Sequence, residues 1–280
     1  MGNFVKTGKM ALLAIVALLF FSCASNVEDP AVELLSRARV EFENGKYNST
    51  RVLLDSIKIV SPKAYKVLRE AEQLRREAMI KEGERNVLFY EEELQALVAV
   101  RDSMLAGFDF TKDKRYQDKG YYTAPSQAIA QNAFNNFLRA CVYEDGTMYL
   151  TSFYRGKSIR HKSVKLSCGD TYVSCGTPFL ERNFKDLGVN NERRDYKYGM
   201  DDGLVDFVVA AQGVIEVELS GANGTVNYTL RASDAAAIRS VFELSQAIKA
   251  VKANEEMLDE ARYMLDFLKR SEARSSSAVE

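Results

Sequence analysis

Tryptophan is absent from this 280-residue chain, histidine occurs once, at position 161, and proline only four times. With one imidazole, any Ser/His/Asp or Cys/His site would have to be built on His161. No Gly-x-Ser-x-Gly elbow accompanies it. There is no Gly-x-x-x-x-Gly-Lys loop and no Gly-x-Gly-x-x-Gly after a strand pattern, so nucleotide binding has no support. Charge of one sign is also missing. The 38 Lys and Arg against 39 Asp and Glu leave no global basic field to collect nucleic acid. The longest apolar run, Met10 to Phe21, has 12 residues, short of the roughly 20 that span a bilayer as a helix.

What is present begins at the N-terminus. Lys6 and Lys9 precede that apolar run, and Ser22, Cys23 and the polar stretch Asn26-Val27-Glu28-Asp29-Pro30 follow it. This order suits a secretory signal, with a positive start, a short apolar core and a small residue at its end. A small residue followed by Cys there resembles the lipobox of bacterial lipoproteins, although Phe20 and Phe21 stand where the typical box has Leu and a small residue. The resemblance implies removal of residues 1–22, acylation of Cys23 and a membrane tether through that lipid. Several acyl chains hold a protein stably, whereas one is marginal. Ala24 after the cysteine resembles the sorting pattern of the outer rather than the inner membrane.

The patterning predicts an α+β protein. Residues 23–62 hold the anchor and a helical hairpin: Leu34, Leu35, Ala38 and Phe42 recur at helical spacing, Asn44-Gly45 stops the helix, and Leu53, Leu54 and Ile57 form a second stripe before Ser61-Pro62. Leu34, Ala38, Gly45, Tyr47, Leu54, Ile57 and Pro62 resemble one tetratricopeptide repeat. A second full repeat is missing, and a solenoid needs about three. Residues 63–107 and 232–273 read as long helices, their striped stretches from Lys63 to Ala106 and from Ala235 to Arg270 running about 65 and 55 Å at full helical rise. Each carries an apolar stripe too long to stay wet, and pairing the two antiparallel as a coiled-coil-like stalk covers both. Residues 274–280 read as a disordered tail.

Between them, 108–231 switches to alternating patterns and reads as an inserted antiparallel β-rich domain. Asp145-Gly146 and Gly169-Asp170 mark hairpins. Leu204 to Ala210, Val214 to Ser220 and Thr225 to Arg231 read as a three-strand meander, Ser126 to Asn136 as a short helix and 176–203 as an irregular loop. Ile215, Val217 and Leu219 alternate with Glu216, Glu218 and Ser220, giving one buried and one wet face. The plan as a whole resembles a group of uncharacterised bacterial envelope lipoproteins with a repeat-like helical hairpin, long helices and a β-rich module. That resemblance rests on Cys23, the Gly45 to Pro62 hairpin, Phe137 to Tyr154 and the join from Tyr228 to Leu244, and it implies no reaction.

Few residues carry candidate chemistry. Cys141, Cys168 and Cys175 remain beside Cys23, with no paired-ligand spacing for zinc. Asp201-Asp202-Gly203 reads as a turn, and no metal or cofactor is expected. His161 lies in a basic stretch with Arg155, Lys157, Arg160, Lys162 and Lys165, and reads as a surface imidazole; anionic headgroups or acidic glycans would suit such a patch. Ten of the 14 tyrosines fall within 108–231, among them Tyr121, Tyr149, Tyr154, Tyr196 and Tyr198. Most of these read as sheet-packing residues, while exposed ones in the loop 176–203 would make good contact surface. Tyr154, Arg155, Lys157, Arg160, His161, Tyr196 and Tyr198 are therefore the expected binding surface. The function expected is a non-enzymatic envelope lipoprotein whose β-rich module meets an envelope protein or polysaccharide, with self-association through the long helices as a further expectation. The alternative is a lipid-anchored hydrolase or small-ligand binder with a site between the β domain and 176–203.

Overall fold

The structure, a computed structural model, describes residues 29–128, 132 and 134–277. Cys23 and the signal segment lie outside the described residues. The described residues are 51% helix and 26% antiparallel strand, with a long C-terminal helix and a sheet module. Among the described residues no helix is long and apolar enough to cross a membrane. Two compact units emerge among the described residues: 29–88 with 259–277, and 89–258.

The first unit holds helices α1 (Pro30–Glu43) and α2 (Tyr47–Val60) and the start of α3 (Tyr65–Leu105). Asp29 caps α1 by accepting the Ala31 N–H at 3.0 Å, and Pro30 sits in the first turn, where its missing N–H does no harm. Gly45 ends α1 at φ +70°, in the left-handed region, with its N–H on the Phe42 carbonyl and that of Lys46 on Glu41. Leu35, Ala38, Leu54, Ile57, Ala71 and Leu74 then close a small core. The C-terminal end of α5 (Ala232–Ser277) belongs to this unit too. A side chain at Gly83 would press on Leu265, and Lys269 pairs with Glu84 at 2.9 Å. Helix α5 runs to Ser277, beyond the expected end at 273.

The second unit is the sheet module. A six-stranded antiparallel sheet has the order β1 (Asp109–Thr111), β2 (Tyr121–Thr123), β3 (Phe137–Tyr143), β4 (Met148–Gly156), β8 (Val189–Lys197), β7 (Leu180–Asp186). A four-stranded sheet has the order β10 (Gly224–Thr229), β9 (Glu216–Gly221), β5 (His161–Cys168), β6 (Thr171–Cys175). Leu138, Ala140, Val142 and Leu150 of the first sheet share one core with Val164, Leu166, Val217 and Leu219 of the second. Ile238, Val241 and Leu244 of α5 and Leu204 and Val208 of the short helix α4 (Leu204–Ala210) complete it. The Asp145-Gly146 and Gly169-Asp170 hairpins form as expected, and Cys168 faces Thr171. The last hairpin, β9–β10, forms close to its expected place.

Two expectations change. Residues 176–203 are not an irregular loop but carry β7 and β8. The β8 sequence VNNERRDYK hides its strand because its buried positions include Glu192, Arg194 and Asp195, so hydrophobic alternation never shows. Leu204–Ala210 is a helix rather than a strand. Leu204, Val205 and Val208 are buried at helical spacing, and Asp201 accepts the Val205 N–H at 2.9 Å to start the turn. Short apolar runs of this kind fit either structure until packing chooses. Of the expected helix at 126–136, Pro125–Gln127 forms a 3₁₀ turn and Asn132 is helical, while residues 129–131 and 133 lie outside the described residues.

Candidate functional site

The two faces of the six-stranded sheet hold the candidates. On the core-facing side, Ser152 of β4, His161 at the start of β5 and Glu192 of β8 form a hydrogen-bonded series. Ser152 Oγ lies 2.8 Å from His161 Nε2, and His161 Nδ1 lies 2.8 Å from Glu192 Oε2. Register explains the meeting: β4 pairs with β8 so that Ser152 opposes Arg194 and Tyr154 opposes Glu192. The corner 157–160 then carries the chain from β4 into the other sheet.

Glu192 anchors that corner. It accepts the Ser158 hydroxyl at 2.7 Å and the backbone N–H groups of Arg160 and His161, each at 2.8 Å. Arg160 is held at φ +53°, and a side chain at Gly221 would collide with the Arg160 carbonyl, so the turn is tightly enclosed. Arg194 donates to the His161 carbonyl at 2.6 Å and has its guanidinium 3.8 Å from Glu192. Burial alone would raise the Glu192 carboxyl, but the hydrogen bonds from Ser158, Arg160 and His161 outweigh it and hold the group at about 2. Burial pushes His161 below its ordinary value, opposed by the Glu192 hydrogen bond. The imidazole is therefore neutral, with Nδ1 donating to Glu192 and Nε2 accepting from Ser152.

That polarity is the one a Ser/His/acid triad uses. Access is what differs, because Ser152 and His161 are 0% exposed and Glu192 is 1% exposed. The groove of about 900 Å³ in this unit is lined by residues such as Ala211, Ile215, Leu230 and Arg239 and includes none of the three. Asp202 lies beside the Cys175 thiol, not beside His161. Among the described residues no cluster of His, Cys, Asp and Glu could hold a metal ion. Cys141, Cys168 and Cys175 are free thiols.

The opposite face is different in kind. Alternation along β3 and β4 turns Phe137, Arg139, Cys141, Tyr143, Tyr149, Thr151 and Phe153 away from the core. Tyr121, Tyr143, Tyr149 and Phe179 make a continuous row of ring contacts at 5.7, 5.7 and 5.6 Å. Beside it Phe137 stacks on Phe153 at 4.7 Å, with the Arg193 guanidinium 5.6 Å above the Phe153 ring. Arg139 lies 5.9 Å over Tyr121. Thr151 and Arg193 both donate to Asp195 Oδ1, at 2.5 and 2.9 Å.

No protein-family model, curated protein or solved structure matches this chain. Its own geometry is what assigns a site.

The residues expected to share one surface are separated. Tyr154, His161 and Tyr196 are buried, because they point from β4, β5 and β8 into the core; Tyr196 donates to the Lys162 carbonyl at 2.7 Å. Tyr198 is half-buried, edge-on to Phe242 and bonded to Asp206. Arg155 is tied to Asp186 at 3.3 Å, and Lys157 and Arg160 alone are exposed. Tyr121 and Tyr149, which lie outside that expected surface, belong to the outward row. Arg139, Tyr143 and Phe179 were not singled out by sequence, though the alternation of FLRACVY places Arg139, Cys141 and Tyr143 together on one face.

Proposed function

We propose that the protein is a membrane-anchored bacterial envelope lipoprotein without catalytic activity, which presents its sheet module for contact with an envelope protein or surface polymer. The observation that carries this reading is the row Tyr121, Tyr143, Tyr149, Phe179, a run of large rings on the face that takes no part in the core. Tyrosine gives large, amphipathic contact area at low entropic cost, and flat, ring-rich faces suit macromolecules better than small ligands. The Cys23 box supports lipidation and, with Ala24, an outer-membrane address. A helical stalk of α3 against α5 is supported by Asn254 donating to Glu93 at 3.1 Å, while Met104 and Leu105 pack on the cluster holding Leu244 and Ile248. The α1–α2 hairpin is read as tetratricopeptide-like.

Two measurements test this. Metabolic labelling with an alkyne palmitate analogue should mark the wild type and not Cys23→Ser; equal labelling removes the anchor. A photo-crosslinking phenylalanine analogue at position 149 should give a discrete adduct in intact cells. The same analogue at Tyr172, exposed on the other sheet, should not. Equal adducts at both positions would defeat the assignment of the face.

The hydrolase alternative retains one specific support, the Ser152–His161–Glu192 series, but needs an opening that brings Ser152 to solvent. A fluorophosphonate probe should leave Ser152 unmodified; stoichiometric labelling would reverse the choice.

A further inference from the structure

We infer that Arg139 is the anion site of the outward face and takes a carboxylate from an acidic segment of a partner protein. This rests on reading that face as a contact surface, and adds the chemistry of what it contacts. Arg139 sits at the middle of β3, opposite Thr151, which in turn opposes Asp195 of β8. The side chain is 9% exposed, and its Nε finds no acceptor. Buried charges in proteins are ordinarily paired and hydrogen-bonded, since an isolated one loses its hydration without compensation.

The neighbours of Arg139 show how unusual this is. Arg193 is paired with Asp195, Arg155 with Asp186, Lys112 with Glu144 and Lys119 with Asp145. Asp195, the acid in line with Arg139 across β4, has its Oδ1 already engaged by Thr151 and Arg193. On the other face Arg194, more deeply buried still, reaches the carbonyls of His161, Arg182 and Arg193 and the Asn183 side chain. Arg139 thus has a buried Nε without an acceptor, beside a row of tyrosines, and no carboxylate paired with it among the described residues. Its planar fork matches a carboxylate bidentately.

The face favours a protein as the source of that carboxylate. The rings of the row are tilted or edge-on to each other, at 50°, 72° and 54°, so they form no flat run for successive sugar rings. Tyrosine and arginine together are the residues that dominate protein–protein hot spots.

The test uses the full chain, labelled with ¹⁵N-arginine and held in detergent micelles, with amidated hexaglutamate as probe. The Nε–Hε signal of Arg139, identified by its loss in Arg139→Lys, should shift saturably with hexaglutamate and stay still with hexalysine. Arg139→Lys, which keeps the charge but loses the fork, should weaken hexaglutamate binding by about tenfold or more. No shift, or unchanged affinity in Arg139→Lys, overturns the site. Tighter saturation by a six-unit oligogalacturonate overturns the choice of a protein partner in favour of an acidic glycan. Crosslinks at position 149 without a carboxylate-dependent shift of Arg139 leave the contact face standing and remove the anion site.

Discussion

Arg194 and Arg139 occupy opposite faces of the same sheet, are both at least nine-tenths buried, and have opposite fates. Arg194 belongs to a corner in which donors and acceptors are matched: Glu192 alone collects Ser158, Arg160 and both nitrogen donors of His161. Arg139 is buried among rings with its Nε left over. Burial by itself therefore does not separate a structural charge from a recognition one. Completeness of pairing does, because a satisfied network gains nothing from a ligand while an unsatisfied group gains the interaction it lacks.

The largest test of the contrast is to break the matched side. Glu192→Ala leaves the Ser158, Arg160 and His161 donors without their acceptor and Arg194 with Glu181 as its remaining carboxylate, and should lower stability by about 3–5 kcal/mol in urea unfolding. A loss under about 1 kcal/mol would mean the corner holds without Glu192.

Acid titration should sharpen it next. His161 is held below its ordinary value of 6.5, so as pH falls below that value the unfolded chain binds a proton the folded one resists, and stability declines. Glu192, held at about 2 against 4.5 in the unfolded chain, contributes stability that is present above pH 4.5 and is lost between there and about 2. Both slopes have the same sign. Thermal midpoints should fall gently from pH 7 to 5 and steeply below 4.5, with His161→Gln flattening only the first part. A profile flat to pH 4 would contradict both assignments.

The smallest effect belongs to the unmatched side. Arg139→Leu removes a charge that nothing pairs, and should change stability by less than about 1 kcal/mol or raise it slightly. A large loss would show that Arg139 is structural after all.

How much of this was legible follows from which forces are local. Asp29-Pro30, Gly45 and the 3.6-residue stripes announce the helices because caps and periodicity act within a few residues. The Asp145-Gly146 turn announces β3 and β4 for the same reason. Strand β8 was invisible because its buried side is filled by Glu192 and Arg194, whose partners lie 31 and 33 residues away at His161. The tyrosine excess of 108–231 was readable, but the basic stretch 155–165 misled. His161 looked exposed among cations, whereas register turns it inward beneath Tyr154 and against Glu192.

From the sequence alone came the helical ends, the hairpins, the signal-like start with Cys23 and the concentration of tyrosine in residues 108–231. These depend on neighbours within a turn or two of chain. Tertiary structure decided which side each side chain faces and which charges find partners, because β4, β5 and β8 meet only after long loops close. That is why Ser152, His161 and Glu192 became a sealed corner and Arg139 a charge left waiting.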